Sequence, residues 1–318
     1  MKQLKHFLTE YNIILILAVI VCYGVFAVPY FATANNLIKL ANDFSMYGIA
    51  AIGMSFLLIS GEVDLSLGMS VALSTIMASL IGSRYGGVFG ILAAVLACTG
   101  VGLLNGLLVT KLRINSLIAT IATMTALTGI CYIIGDGKTV PNTSDLLRSL
   151  SDYRLFGIKA LQLPMILFAV CLVLSGLLLH RAKFGNAVFV VGGNADAGYA
   201  SGIPVGTIKT VCFLIGGLCA GITGILLSSY VYAGAVSYGD GLNITLISAC
   251  VLGGVKFTGG KGSVGRTLLG IIVVRMIINI ASLLSFDAWA QNILSGGLLL
   301  LVLSVDRVTR QQRLEDAT

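Results

Sequence analysis

Three consecutive stretches decide the fold: QLPMILFAVCLVLSGLLLH (162–180), RAKFGNAVFVVGGNADAGYASGIP (181–204) and TIKTVCFLIGGLCAGITGILLSSYVY (207–232). The first and third are continuous apolar runs, and a helix crossing a bilayer needs about 20 mostly apolar residues. The middle stretch is different. Asn194 is a good helix N-cap, because its side-chain oxygen can accept from the first free N–H groups. Asp196 then falls in a first turn, where the helix dipole favours an anion. Gly202 can end such a helix in a left-handed conformation, and Pro204 blocks its continuation. On local signals alone two readings stand: one or two turns of helix at about 195–201, or an ordinary polar loop between spans.

Working outward, the composition settles the solvent. Of 318 residues, 57% are hydrophobic and 10% charged, where a soluble domain carries about 25% charged residues. Lipid must therefore surround most side chains. The runs are continuous rather than alternating, which excludes a β-barrel. The class is an all-α polytopic membrane protein. The net charge is +7, but the basic residues sit singly or in pairs at the ends of apolar runs. They orient the chain in the bilayer, and no basic stripe with aromatics suggests nucleic acid. The seven cysteines all lie in apolar runs without CxxC spacing, so they read as packing residues. With two histidines, both flanking spans, the sequence offers no metal site and no catalytic residue.

By length, ten spans are expected: 12–31, 38–60, 67–83, 88–110, 115–135, 162–180, 207–232, 243–258, 264–284 and 289–305. The third and eighth are short, and the polar breaks beside them suit re-entrant segments. Ala32-Thr33-Ala34 resembles a signal-peptide cleavage site, but further spans follow at once and favour an uncleaved first helix. With both termini inside, Lys2, Lys5, Lys111, Arg113, Arg181, Lys183, Lys209, Lys256, Lys261, Arg266, Arg307, Arg310 and Arg313 face the cytoplasm. Lys39, Arg84, Lys138, Arg148, Arg154 and Lys159 face outward, the last four in one long loop where the positive-inside rule is weaker. This places 185–204 at the cytoplasmic face and the polar insertion 136–161, with the loop 233–242, outside. The whole of 1–318 reads as one membrane domain without a visible internal repeat.

Several motifs can be tested physically. Gly260-Lys-Gly262-Ser-Val-Gly265 fits G-x-G-x-x-G, but apolar helices flank it, so a dinucleotide site lacks its strand. The P-loop pattern fails because Gly260 stands where Lys is required. Gly253-Gly254 and Gly259-Gly260-Lys261-Gly262 read instead as a tight break whose turns need positive φ. Small-xxx-small spacing at Gly86/Gly90, Gly102/Gly106 and Gly217/Gly221, with the parallel row Gly216/Ala220/Gly224, permits close helix approach. Ser116, Thr120 and Thr123 share one helix face, and Arg275, Asn279 and Ser282 share another. With Asn105, Asn243, Thr245 and Ser248, these are candidate pathway groups for an uncharged polyol, whose hydroxyls both donate and accept. Equally, Ser and Thr can bond to their own helix carbonyls. Arg275 is read as the one charge deep in a run, costing about 2.5–3.5 kcal/mol at the bilayer centre. It therefore calls for a structural partner, a reach to the interface, or a water-lined cavity. No Asp/Glu/His relay of a proton-coupled pump is visible; Glu62 and Asp64 lie at a span end.

At these residues the chain resembles the permease subunits of bacterial ABC importers for ribose, related simple sugars and autoinducer-2. Gly61-Glu62-Val63-Asp64-Leu65-Ser66-Leu67-Gly68 looks like the family's G-G-I-D-L-S-V-G. Gly192-Gly193-Asn194 with Ala195, Ala197 and Gly202-Ile203 is similar to its G-G-N-x-x-A-A-x-x-x-G-I. Gly253-Gly254 through Gly265 and Gly270 looks like its glycine-rich third motif, and Asn279 matches a family Asn. The resemblance spans roughly 35–306. It implies that 185–204, with Gly185, Gly192, Gly193, Asn194, Asp196, Ala197 and Gly202, is the coupling segment docking on an ATP-hydrolysing subunit. It also implies two ATP-binding subunits, a second permease chain, identical or paralogous, and an extracytoplasmic solute-binding protein, at a bacterial cytoplasmic membrane. ATP and Mg would sit on the partner; this chain would bind no cofactor and be no enzyme. Glu62 departs from a usual Gly, Asn243 from a frequent Glu, and Arg275 from a usually apolar residue, which bears on the solute. The rival class is an ion-coupled secondary transporter or channel for a small polar solute.

Overall fold

The computed structural model describes residues 12–154, 162–287, 289–300 and 304. They form helices α1 (Asn12–Ala27), α2 (Ala34–Ile59), α3 (Leu67–Tyr85), α4 (Gly87–Thr110) and α5 (Ser116–Ile134), then a short strand β1 (Val140–Pro141). There follow α6 (Asp145–Asp152), α7 (Leu163–His180), α8 (Lys183–Gly193), α9 (Ala195–Ala200), α10 (Val205–Val231) and strand β2 (Ala233–Gly234). A 3-10 turn (Val236–Gly239), α11 (Leu242–Leu252), α12 (Val264–Leu283) and a last helix α13 over 289–300 complete them. Seven helices, α2, α3, α4, α5, α7, α10 and α12, are long and apolar enough to cross a membrane. The described residues are thus mostly helical, consistent with the expected polytopic membrane class. Helix occurs within each of the ten expected spans, but α1, α11 and α13 are shorter. The eighth shrinks most, because Gly253-Gly254 ends α11 at Leu252. Lys2, Lys5, Lys159, Arg307, Arg310 and Arg313, and the end of the tenth span, lie outside the described residues.

Burial sorts six of the seven into two layers, with α12 between them at 50%. The most apolar 18-residue window is 83% buried in α2, 72% in α3 and 67% in α10, against 28% in α4 and 22% in α5 and α7. The inner helices approach one another and the outer α4 closely because these interfaces are small residues. A Cβ on Gly217 of α10 would lie 2.3 Å from the Cys98 carbonyl of α4, and one on Gly102 of α4 would lie 2.4 Å from the Phe213 carbonyl. Gly224 meets Ser74 of α3, and Gly216 meets Leu57 of α2. These small-residue rows are consumed by packing within the chain. All seven cysteines are free thiols in the apolar helices, with Cys22 the exposed one.

At one end of the bundle, β1 and β2 pair antiparallel, Val140 opposite Gly234. The described part of the 136–161 insertion and the 233–242 loop are therefore one joined surface. Asn142 N–H donates to the Tyr232 carbonyl at 2.9 Å, and Leu147 of α6 is fully buried against Gly82. At the opposite end gather the α2–α3, α8–α9–α10 and α11–α12 connections.

Candidate functional site

The end opposite the ribbon is built on three helix stops of one kind. In each, a glycine at positive φ follows the last helical turn: Gly61 (81°), Gly202 (75°) and Gly254 (84°). Glu62 N–H donates to the Leu57 carbonyl and Gly61 N–H to Leu58. Ile203 and Gly202 pair likewise with Gly198 and Tyr199, and Val255 and Gly254 with Cys250 and Val251. This double bond satisfies the orphan carbonyls of a helix end, and only glycine takes the left-handed φ without strain.

The three motifs that carry these stops converge through backbone alone, at Gly61, Gly192–Gly193 and Gly259–Gly260. The Ile59 carbonyl at the end of α2 accepts from Gly260 N–H at 2.9 Å. A Cβ added to Gly192 would lie 1.8 Å from that same oxygen, and one on Gly260 would lie 2.6 Å from Gly193 Cα. One on Gly259 would lie 2.8 Å from Gly61 Cα. The three motifs, 61–68, 192–203 and 253–265, are far apart in sequence and meet at one glycine-only junction. Gly185 is equally confined, its Cβ position lying 1.9 Å from the Leu179 carbonyl, which closes the α7–α8 corner.

Within 185–204, α9 forms as a capped helix. Asn194 Oδ1 accepts from Asp196 N–H at 3.0 Å and Ala197 N–H at 3.1 Å, and Asp196 lies in the first turn. Both Asn194 and Asp196 are exposed, as is Ala197. What sequence reading missed is α8. Its signal was present: Phe184, Val188 and Val191 follow a helical spacing, and Val188 and Val191 are buried.

The junction continues into the unwound residues 60–66. Asp64 is buried and accepts from Ser66 N–H at 2.8 Å and Ser66 Oγ at 2.6 Å, with Asn105 Nδ2 at 3.4 Å. Thr120 Oγ1 accepts from Leu65 N–H at 3.1 Å, Ser116 Oγ from Val63 N–H at 3.5 Å, and Thr123 Oγ1 donates to Asn105 Oδ1 at 2.7 Å. The Ser116/Thr120/Thr123 face thus packs on this segment and satisfies backbone that has no helix of its own. Glu62, the departure from glycine, pairs with Lys209 in the first turns of α10. Asn243 sits near Met124 Sδ at 3.7 Å.

Arg275 and Asn279 lie elsewhere, on the α12 face against α2. Asn279 and Asn36 exchange amide hydrogen bonds at 3.0 and 3.1 Å. One turn away, Arg275 Nε and Nη2 donate to the two Asp43 oxygens at 2.6 and 2.8 Å, and the guanidinium stands 4.0 Å over the Tyr47 ring. Arg275 is therefore not the one charge within a run. Asp43, inside the second expected span, was overlooked, and it is the structural partner. Arg275 also lines a cavity of about 480 Å³ between α2, the 3-10 turn, α11, α12 and α13. Tyr238, Asp240, Trp289, Gln291 and Asn292 line it too, whereas Ser116, Thr120, Thr123, Asn243 and Asn279 do not. No group of side chains fit to hold a metal occurs among the described residues.

Residues 36–303 match the family described as the permease component of branched-chain amino acid transport systems. The chain belongs to this permease family. The permease is 34% identical over 305 residues to the L-arabinose transport system permease protein AraH of Escherichia coli (strain K12), covering 96% of this chain and 92% of the relative. It is 36% identical to the AraH of Azospirillum brasilense over 90% of this chain and 84% of the relative. It is 29% identical to the ribose import permease protein RbsC of Bacillus subtilis (strain 168), over 96% and 93%. No solved structure matches the permease. Its likeness is to membrane permease components of sugar ABC transporters, which are not enzymes.

Proposed function

We propose that this chain is the membrane-spanning subunit of an ATP-driven importer for a sugar or sugar-like solute delivered by a solute-binding protein. The observation that carries the reading is the glycine junction. A capped, exposed helix α9 is tied through Gly192 and Gly193 to the backbone ends of α2 and of the α11–α12 loop. A push on α8–α9 from an ATP-hydrolysing partner would move α2, α11 and α12 together, with no flexible side chain between to absorb it. In this reading both termini are cytoplasmic, ten helical segments form one membrane domain in a bacterial cytoplasmic membrane, and ATP and Mg stay on the partner. The active unit pairs this chain with a second permease and two ATP-binding subunits. The solute-binding protein docks on the β1–β2 ribbon, where both outer loops meet.

Sugar is favoured over the amino acid of the family description because the three relatives above are named for arabinose and ribose. The test is uptake by vesicles holding the permease with the ATP-binding subunit and binding protein encoded beside it. Sugar uptake that needs both partners and ATP is expected. Uptake on an ion gradient without either would overturn the reading in favour of a secondary transporter.

A further inference from the structure

The cavity beside Arg275 does not belong to the coupling machinery. It lies in the half of the bundle that carries the ribbon. About 24 Å of helix, at 1.5 Å per residue, separates Asp43 from the end of α2 at the junction. Its walls carry the donor and acceptor types a polyol needs. Gln291 and Asn292 supply amides, Tyr238 a phenol, and Trp289 an indole face. Asp240 is exposed, and its carboxylate has no hydrogen-bond or ion-pair partner among the described residues.

The state of Arg275 decides the ligand chemistry. Asp43 engages Nε and one proton of Nη2 in a two-point pair, and Tyr47 covers one face. A guanidinium has five N–H donors, so Nη1 and the second Nη2 proton stay without a protein acceptor among the described residues. Its charge is already balanced by Asp43, and Asp240 leaves the cavity with a surplus negative charge. Free donors without free positive charge suit hydroxyl and ring oxygens. They disfavour a carboxylate or phosphate, which would meet Asp240 with no uncompensated cation to offset it.

Resting on the importer reading, we propose that the permease itself carries a solute-contact site in this cavity, with the Asp43–Arg275 pair selecting neutral polyhydroxyl solutes over anionic ones. Selection would then occur twice, once on the binding protein and once within the membrane subunit.

Trp289 lines the cavity and is the chain's one tryptophan, so the full chain in lipid nanodiscs reports its own occupancy by fluorescence. L-arabinose, D-ribose, L-arabinonate and L-leucine would be titrated against it. A saturable change with at least one pentose and none with arabinonate or leucine is expected. The Asp43→Asn/Arg275→Met double variant, which removes both charges of the pair together, should weaken the pentose response by about tenfold or more, the worth of hydrogen bonds to a charged donor. In vesicles the same variant should raise the KM for pentose with the maximal rate largely kept, because coupling is untouched. No saturable response to either pentose, an equal response to arabinonate or leucine, or an unchanged KM in the double variant overturns the proposal. ATP-dependent uptake by the unaltered permease would still stand in each of those cases, so failure of the site is separable from failure of the importer reading.

Discussion

The two ends of this bundle do opposite things with the same backbone. At the junction end, Gly61, Gly192, Gly259 and Gly260 bring three chain segments into contact with no side chain between them. At the other end, Tyr47, Arg275, Asp240 and the largely exposed Trp289 line a cavity of about 480 Å³ with charge and aromatic surface, and Asp43 pairs with Arg275 beside it. Backbone-on-backbone contact has one geometry and transmits displacement, since close-packed atoms cannot yield without repacking. A side-chain-lined cavity can rearrange rotamers and so can admit and release a solute. In the proposed function, force and recognition are separated along the long helices α2 and α12, which reach both ends.

The contrast is sharpest at two adjacent glycines. A Cβ on Gly192 would lie 1.8 Å from the Ile59 carbonyl, while one on Gly193 has nothing nearer than Gly260 Cα at 3.9 Å. Gly192→Ala should therefore abolish ATP-driven uptake in vesicles, whereas Gly193→Ala should retain most of it. Immunodetection in the membrane fraction separates a coupling defect from loss of the protein. Equal uptake by the two variants would remove the junction from the mechanism. A larger side chain at 193, as in Gly193→Leu, reaches past 3.9 Å to the 259–260 loop and should behave like Gly192→Ala.

The next effect belongs to the cavity end. Arg275→Met alone strands Asp43 without its cation, and breaking a largely buried pair this way costs about 3 kcal/mol. Thermal unfolding of the purified permease in detergent should drop clearly for Arg275→Met. It should recover most of the way when Asp43→Asn is added. If the single and double variants unfold together, the pair has no structural role.

How much of this was legible follows from the kind of signal each element leaves. The spans, the cap at Asn194, the stop at Gly202 and the break at Gly253-Gly254 are local, and each can be read within a few residues. The cap, the stop and the break occur at those residues. What the sequence hid is pairing at long range. Asp43 and Arg275 are 232 residues apart, and Asp43 lies close enough to the head of its span to pass for an interfacial charge. The hydroxyl face of Ser116, Thr120 and Thr123 was visible as a face, but its target, the unwound 62–66 backbone, has no signature until the chain folds. Helix α8 escaped because Gly185 and Gly192 break the visual run of a helix whose buried face is nonetheless regular.

A smaller effect tests the cap itself. Asn194→Ala removes the acceptor for Asp196 and Ala197 N–H, a loss of about 1 kcal/mol at a helix start. Because α9 is a single short helix, that is enough to fray it. A reduced maximal uptake rate with unchanged KM is expected, with Asn194→Asp restoring it. Loss of KM instead would assign the segment to solute handling rather than to coupling.

The smallest effect concerns the ion pair that replaces a glycine. Glu62 and Lys209 hold the unwound 60–66 segment to the start of α10, with side chains 9% and 21% exposed. A double-mutant cycle reads only the pairwise term between two partly exposed side chains, so it should be near 1 kcal/mol, below the cost of stranding one charge of a pair. A double-mutant cycle of Glu62→Gln and Lys209→Gln on thermal unfolding measures it. The pair spans the joint between the coupling helices and the segment beneath them, so the two single variants should also slow uptake, and the charge-swapped Glu62→Lys/Lys209→Glu should regain part of the rate. Additive losses in the cycle would mean that α10 and the 60–66 segment move independently. The ties between α8–α9 and the end of α2 would then be the glycine junction and the Phe56–Phe184 ring stack beside it.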